Sequence, residues 1–417
     1  MSESNSDLNP LRINIERLQQ RIEQLAKIGA LEGGGVCRLA LSDEDRKGRD
    51  LVCQWMRELG LEVSIDKIGN VIGLRQGLDN LEPVVTGSHI DTVATGGPYD
   101  GNFGVLAGLE VIQTLNDAGI TTRRPLAVGF FTNEEGARFA PDMMGSGVHQ
   151  GALELDEMLA VTGIDGVTVG DQLQKIGYAG DTPVASFKAH SFVELHIEQG
   201  PVLEQENVQI GAVTGVQGIS WNEYTISGIS NHAGTTPMSF RHDPGYVACA
   251  IATEVRRLVT ATAQGQVGTV GQIKLDPNLI NVIPRKAVIT VDLRNIDEAL
   301  LQQVENQLAV IIEKLADDEQ VTVTRRQLAR FQPVKFDGQM IDLVERSAKA
   351  LGYSCKQMPS GAGHDAQMFA PNCATSMIFV PSQGGISHNI REYTSPEQLQ
   401  AGANVLLQVI LQRAEQG

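Results

Sequence analysis

Thr86-Gly-Ser-His-Ile-Asp-Thr-Val93 is the stretch on which the reading of this sequence turns. Its left flank, Pro83-Val84-Val85, reads as the end of a buried strand, which places His89 and Asp91 in the loop at the strand's carboxyl edge. Open α/β sheets build their sites there. His89 offers an imidazole nitrogen to a metal, and Asp91, two residues on, is spaced to accept the hydrogen bond from the ring's other nitrogen. Tyr99-Asp-Gly-Asn102 follows inside a glycine-rich segment (Gly96, Gly97, Gly101, Gly104) that lets backbone and the Asp100 carboxylate approach an ion closely. A capping Asp beside a loop His fits these residues equally well when they are taken alone.

Outward from that stretch, periodicity supplies the elements. Residues 11–30 carry apolar positions at helical spacing, among them Leu18, Ile22 and Leu25. Ser42 caps a second helix that Gly60 ends, and alternation from Leu61 to Leu74, broken at Gly69-Asn70, predicts a hairpin. Strand 83–88, a helix from about Gly104 to Gly119 and strand 125–132 make a βαβ-like unit. Between Gly211 and Gly218 the character changes. Strands at 218–228, 267–275, 287–294 and 320–326 and helices at 243–263 and 298–315 follow in the order βαββαβ, the split ferredoxin-like arrangement. Helix 338–351, strand 374–380 and helix 396–414 then return to the first domain. The expected fold class is α/β: residues 1–214 and 330–417 form a catalytic, metal-binding domain with a mostly parallel central sheet flanked by helices, and 215–329 form an inserted ferredoxin-like domain.

Composition narrows the function classes. A chain of 417 residues is too long for one ordinary core, which agrees with the division just drawn. The formal net charge of −17 argues against nucleic acid as a partner, because a polyanion needs a basic face. No apolar run is long enough to span a membrane, and the polar start lacks the apolar core of a secretion signal, so the expected location is cytoplasmic. Five scattered cysteines without a Cys-x-x-Cys pair predict free, mostly buried thiols.

Further chemistry-bearing residues recur after apolar stretches. Glu134 and Glu135, following Pro125–Phe131, put adjacent carboxylates at a strand end, which like-charge repulsion disfavours unless a cation compensates or one carboxylate holds a proton. One can bind metal while its neighbour faces the substrate water. His196 lies in Glu194-Leu-His-Ile-Glu198, where alternation puts Glu194, His196 and Glu198 on one face. His388 sits in the glycine-rich segment Gly384-Gly-Ile-Ser-His388 after an apolar strand. Together His89, His196, His388, Asp100 and Glu135 suit two divalent ions about 3.5–4 Å apart sharing one carboxylate. Nitrogen and oxygen donors of this kind favour zinc, with manganese, cobalt and nickel also compatible. They leave room for a water, whose proton a free carboxylate can take.

The blocks GSHIDTV, GPYDGNFGVLAGLEV, FTNEEGARF, ELHIEQGPVLE, GISNHAGTTPM, NVIP, DLRN, SGAGHDA and GISHN resemble those of the N-carbamoyl-L-amino-acid hydrolase and allantoate amidohydrolase family. That family is a branch of the dinuclear metallopeptidases, zinc exopeptidase-like in fold and related to aminoacylase and carboxypeptidase G. The resemblance runs from about residue 10 to the C-terminus. It implies His89, Asp100 and His196 on one metal, and Asp100, Glu135 and His388 on the other. It makes Glu134 the general base and later the proton donor to the leaving amine, with Asp91 orienting His89. A His at 196, where peptidase relatives carry a carboxylate, points to the carbamoylase branch. The inserted domain becomes a lid and dimerisation domain, so a homodimer is expected. From it His232 would donate to the oxyanion, Asn281 would bind the substrate's polar end, and Arg294 would clamp a carboxylate through two parallel hydrogen bonds. A surface ion pair with Asp292 or Asp297 is the other reading of Arg294. Gln199 and the backbone at Gly361 and Ala362 would contact substrate, while His364 and Asp365 fit a structural role in that loop. The implied reaction is hydrolysis of a terminal ureido group on a small carboxylic acid, giving amino acid, ammonia and carbon dioxide. Allantoate, then N-carbamoyl-β-alanine, are the alternative substrates, and a non-catalytic binding protein of the same fold is the alternative of another class.

Overall fold

The Val84–Ser88 strand is buried along its whole length, as are Leu126–Phe130 and Ser191–Ile197. Strands with both faces covered are apolar almost throughout, and that is why Leu126–Phe130 lacks clean alternation; in Ser191–Ile197 the alternating polar residues Glu194 and His196 are themselves buried. The protein is described by a computed structural model that covers residues 11–416. In the sheet, the spatial order from one edge is Glu62–Ile65, Val71–Arg75, Leu126–Phe130, Val84–Ser88, Ser191–Ile197, Ala374–Val380 and Ile210–Val216. The central four, Leu126–Phe130 through Ala374–Val380, are mutually parallel, and antiparallel strands flank them. The Asn102–Asp117 helix makes the crossover between Val84–Ser88 and Leu126–Phe130, and nearly all of its residues are buried. Parallel pairing sends four carboxyl ends to one edge of the sheet, so the loops that follow Ser88, Phe130, Ile197 and Val380 emerge side by side.

Two compact units result: one of the residues up to Thr214 and from Phe336 onward, the other Gly215–Lys335. The smaller unit holds a four-stranded antiparallel sheet in the order Thr322–Phe331, Gly218–Ser227, Lys286–Asn295, Val267–Asp276. Alternate residues of the two central strands are buried, and helices Pro244–Thr262 and Glu298–Glu319 join them in one apolar core around Ile226, Ile251, Ile289 and Val304. This is the βαββαβ order, closed as a ferredoxin-like layer pair.

Two expectations differ from what is observed, and four short elements were not expected. The return to the larger unit falls at Phe336 rather than 330, because Thr322–Phe331 stays paired with Gly218–Ser227 as far as Phe331 opposite Ile219. The short helices Met144–His149, Leu155–Ala160 and Val169–Ile176 and the strand Cys355–Ser360 carried too few residues to show a period. The cysteines are free, but only Cys53 is fully buried. None of the helices is long and apolar enough to cross a membrane among the described residues.

Candidate metal centre

At the sheet edge, His89, Asp100, Glu134, Glu135, His196, Gln199, Ala362 and His388 line one cavity of about 120 Å³, together with Asp142, Gly363 and His364. A larger groove elsewhere, about 630 Å³ beside Leu11–Arg17, has no such convergence of donors, so chemistry rather than size marks the site.

Asp100 stands at the middle. Its Oδ1 lies 3.1 Å from His196 Nε2 and 3.6 Å from His89 Nε2, while Oδ2 lies 3.3 Å from His388 Nε2. Glu135 Oε2 is 3.3 Å from the same His388 nitrogen. The described residues thus offer His89, Asp100 and His196 as one group able to hold a metal ion, and Asp100, Glu135 and His388 as another, with Asp100 common to both. Glu194, His196 and His364 form a further buried group. Two of the imidazoles are held in the tautomer a ligand needs: Nδ1 of His89 faces the Asp91 carbonyl at 2.9 Å and Nδ1 of His196 the Ile197 carbonyl at 2.8 Å, so each leaves Nε2 toward Asp100. Gly101 is required beside them. Its φ is +64°, and a Cβ there would lie 2.4 Å from the His89 ring.

Charge balance tests whether this donor set fits a cation. Burial raises the Asp100 carboxyl, but hydrogen bonds from His196, His388 and His89 outweigh it and hold the group well below the usual range. Burial lowers His89, yet Glu134, Asp100 and Asp91 carry it well above the ordinary imidazole value. His388, bonded to Asp100 and Glu135, is pushed up to about 10. These carboxylates draw in positive charge, which a divalent ion supplies without protonating the rings. Glu134 is buried, and burial with the carboxylates of Asp365, Glu135 and Asp100 drives its pKa well up, against the pull of His89. Its Oε2 lies 3.3 Å from His89 Nε2, and it belongs to neither donor group built on Asp100.

Two side chains take partners other than those the sequence predicts. The Asp91 carboxylate does not meet the His89 ring, since the backbone carbonyl of the same residue does. Its oxygens instead accept from the N–H groups of Glu134 and Glu135, at 3.3 and 3.4 Å, so Asp91 braces the turn carrying both glutamates. Glu198 has left the His196 face because the strand ends at Ile197, and its oxygens cap the N–H groups of Val202 and Leu203. Gln199, with φ +59°, donates through Nε2 to Asp100 Oδ2 at 2.9 Å, and its buried Oε1 has no partner among the described residues. His364 bonds Ser360 Oγ at 2.9 Å and meets the His196 ring edge-on.

His232, Asn281 and Arg294 belong to the smaller unit. His232 and Asn281 lie at its two-stranded ribbon, both exposed, and Nδ1 of His232 accepts from the N–H groups of Gly234 and Thr235 at 3.0 and 3.2 Å. That leaves the Nε2 proton outward. Arg294 pairs with Asp292 at 2.9 Å and lies over the Trp221 ring, so the ion-pair reading of this residue is realised on the strand. Sequence reasoning missed Glu392 and Ser387, which touch the Asp100 loop and carboxylate. An acidic residue four positions after His388 was the only signal.

Imidazoles and carboxylates gathered at the carboxyl ends of parallel strands, with a spare carboxylate alongside, define a metal-dependent α/β hydrolase. Residues 85–412 match the peptidase family M20/M25/M40, and the chain belongs to that family. It is 43% identical to the N-carbamoyl-L-amino-acid amidohydrolase of Rhizobium meliloti, over 97% of both chains. It is 34% identical to the allantoate amidohydrolase of Bacillus subtilis, over 94% of this chain and 96% of that one. A crystal structure of a hydantoinase/carbamoylase family amidase from Burkholderia multivorans superposes with a TM-score of 0.95 at 45% identity, covering 97% of this chain and 99% of that one. The chain is accordingly an amidohydrolase.

Proposed function

We propose that this enzyme hydrolyses the terminal carbamoyl group of an N-carbamoyl-L-amino acid, releasing the amino acid, ammonia and carbon dioxide. The observation that carries the reading is the pair of donor groups sharing Asp100 with Glu134 beside them. Support for the substrate class comes from the similarity to the Rhizobium meliloti enzyme. Two divalent cations held by His89, Asp100 and His196 and by Asp100, Glu135 and His388 would supply Lewis acidity and an acidified water, with zinc favoured by the donors. Glu134 then takes the water's proton and returns it to the leaving nitrogen, a task suited to a carboxylate whose pKa is driven upward. Gln199 turns its Oε1 to an N–H of the ureido group, and the backbone at Gly361 and at Ala362, which lines the cavity, provides further contacts. His232, with its outward Nε2 proton, donates to the developing oxyanion. Asn281 and Arg294 bind the carboxylate end, Arg294 exchanging its Asp292 partner for the substrate. The 215–329 segment serves as lid and dimerisation domain of a cytoplasmic homodimer, for which a light-scattering mass twice that of the chain is expected.

Ammonia release from a panel of N-carbamoyl-L- and D-amino acids, allantoate and N-carbamoyl-β-alanine tests the reading. The expected result is turnover confined to N-carbamoyl-L-amino acids, lost on chelation and regained with zinc, manganese or cobalt. Preference for allantoate would replace the substrate assignment, and full activity after exhaustive chelation would overturn the mechanism.

A further inference from the structure

Gly97 has no positive φ to explain it, yet a Cβ there would lie 2.2 Å from Glu392 Oε1 and 2.4 Å from Glu392 Cβ and Cδ. The glycine opens the space through which a carboxylate, only 4% exposed, reaches beneath the Asp100 loop. Glu392 Oε1 accepts from the N–H groups of both Tyr99 and Asp100 at 3.1 Å. Its Oε2 lies 3.1 Å from Ser387 Oγ, and that hydroxyl is also 3.1 Å from Asp100 Oδ2. One side chain therefore ties the backbone of the shared carboxylate to the residue next to His388.

We propose that Glu392 is a positioning residue that sets the separation between Asp100 and His388 and so forms the Asp100, Glu135, His388 cation site. The other group does not depend on it in the same way, because the rings of His89 and His196 are fixed by carbonyls of Asp91 and Ile197. Among the described residues the His388 ring has no such tether: its side chain is about half exposed and its Nε2 meets the two carboxylates it would share with an ion. Its place is set by its backbone, at φ +53°, and by the loop that Ser387 fastens to Glu392. The inference rests on the two-cation reading above and adds that the two sites differ in what builds them. Loss of such an outer hydrogen bond typically weakens metal binding about 10–100-fold.

The test is titration of chelator-stripped protein with Co²⁺, followed by visible absorption and by elemental analysis after desalting, on wild type, Glu392→Ala, Glu392→Gln and Gly97→Ala. Wild type is expected to bind two equivalents. Glu392→Ala should bind the first with near wild-type affinity and the second about 10–100-fold more weakly. Its kcat at limiting cobalt should fall with KM unchanged. Glu392→Gln, which keeps an oxygen for the Tyr99 and Asp100 N–H groups, should recover most of the second site. Gly97→Ala, whose methyl would meet the Glu392 side chain, should reproduce the Glu392→Ala defect in the wild-type background. Two equivalents bound by Glu392→Ala with wild-type affinity would overturn the proposal, as would a lowered melting temperature with binding intact. Should Glu392→Ala not fold, Gly97→Ala decides by the same criteria. Failure of wild type to bind two ions would instead overturn the two-cation reading, so the two failures are told apart.

Discussion

In the mechanism proposed above the chemistry turns on Glu134, which is buried beside the donor groups and lies in neither of the two that share Asp100. Glu134→Gln keeps its volume and removes the base, so kcat should fall by about 10²–10⁴ while metal content is unchanged. Ammonia-release kinetics with elemental analysis measure both. A second buried carboxyl, Asp365, is pushed up to about 8 by burial and then by the neighbouring Glu194 carboxylate. Its folded value lies above the unfolded 3.8, so its contribution to stability is complete below that value and is lost as pH rises through about 8. Chelator-treated wild type should therefore melt at progressively lower temperature from about pH 4 to about pH 8, with the slope levelling off above that. Asp365→Asn, still able to accept from Ser146 Oγ, should flatten that slope, which thermal denaturation across pH will show.

Elements reach the site through buried cations that act as brackets. The Asp43–Glu58 helix carries Arg49, fully buried, whose guanidinium bonds Asp45 Oδ2 at 2.7 Å, the Gly69 carbonyl at 2.7 Å and Thr132 Oγ1 at 3.2 Å. Thr132 opens the turn that holds Glu134 and Glu135. Arg49→Met strands the Asp45 carboxylate in the interior, and losing one partner of such a pair costs about 3–5 kcal/mol. Urea unfolding should show that loss. Arg38 joins the loop after Ser88 to the start of the Asn102–Asp117 helix, donating to the Ile90 carbonyl and Asn102 Oδ1, with burial lowering its pKa to about 10.

For the whole molecule, the smaller unit contains its own sheet, two helices and an apolar core. A segment spanning Gly215–Lys335 should therefore fold when expressed alone, with a single cooperative urea transition and a slope of about 1–3 kcal/mol/M. A broad, non-cooperative transition would count against that autonomy. The same division explains where the polar residues named from sequence fall: the donor residues belong to the larger unit, whereas His232, Asn281 and Arg294 belong to the smaller.

By itself the amino-acid sequence determined most of the longer strands and helices, from Ser42 as a cap to Ala374–Val380 as a strand, because apolar periodicity and turn chemistry are local properties. It also determined which residue types could serve as donors, since imidazoles and carboxylates after apolar strands have few other uses in such numbers. Tertiary structure alone decided which atoms meet. The Asp91 carbonyl and not its carboxylate faces His89, Glu198 turns away to cap a helix, and Glu392 bonds the backbone of a residue 292 positions earlier. Hydrogen bonds to backbone atoms and contacts across such separations leave no periodic trace in a sequence, so only the folded chain displays them.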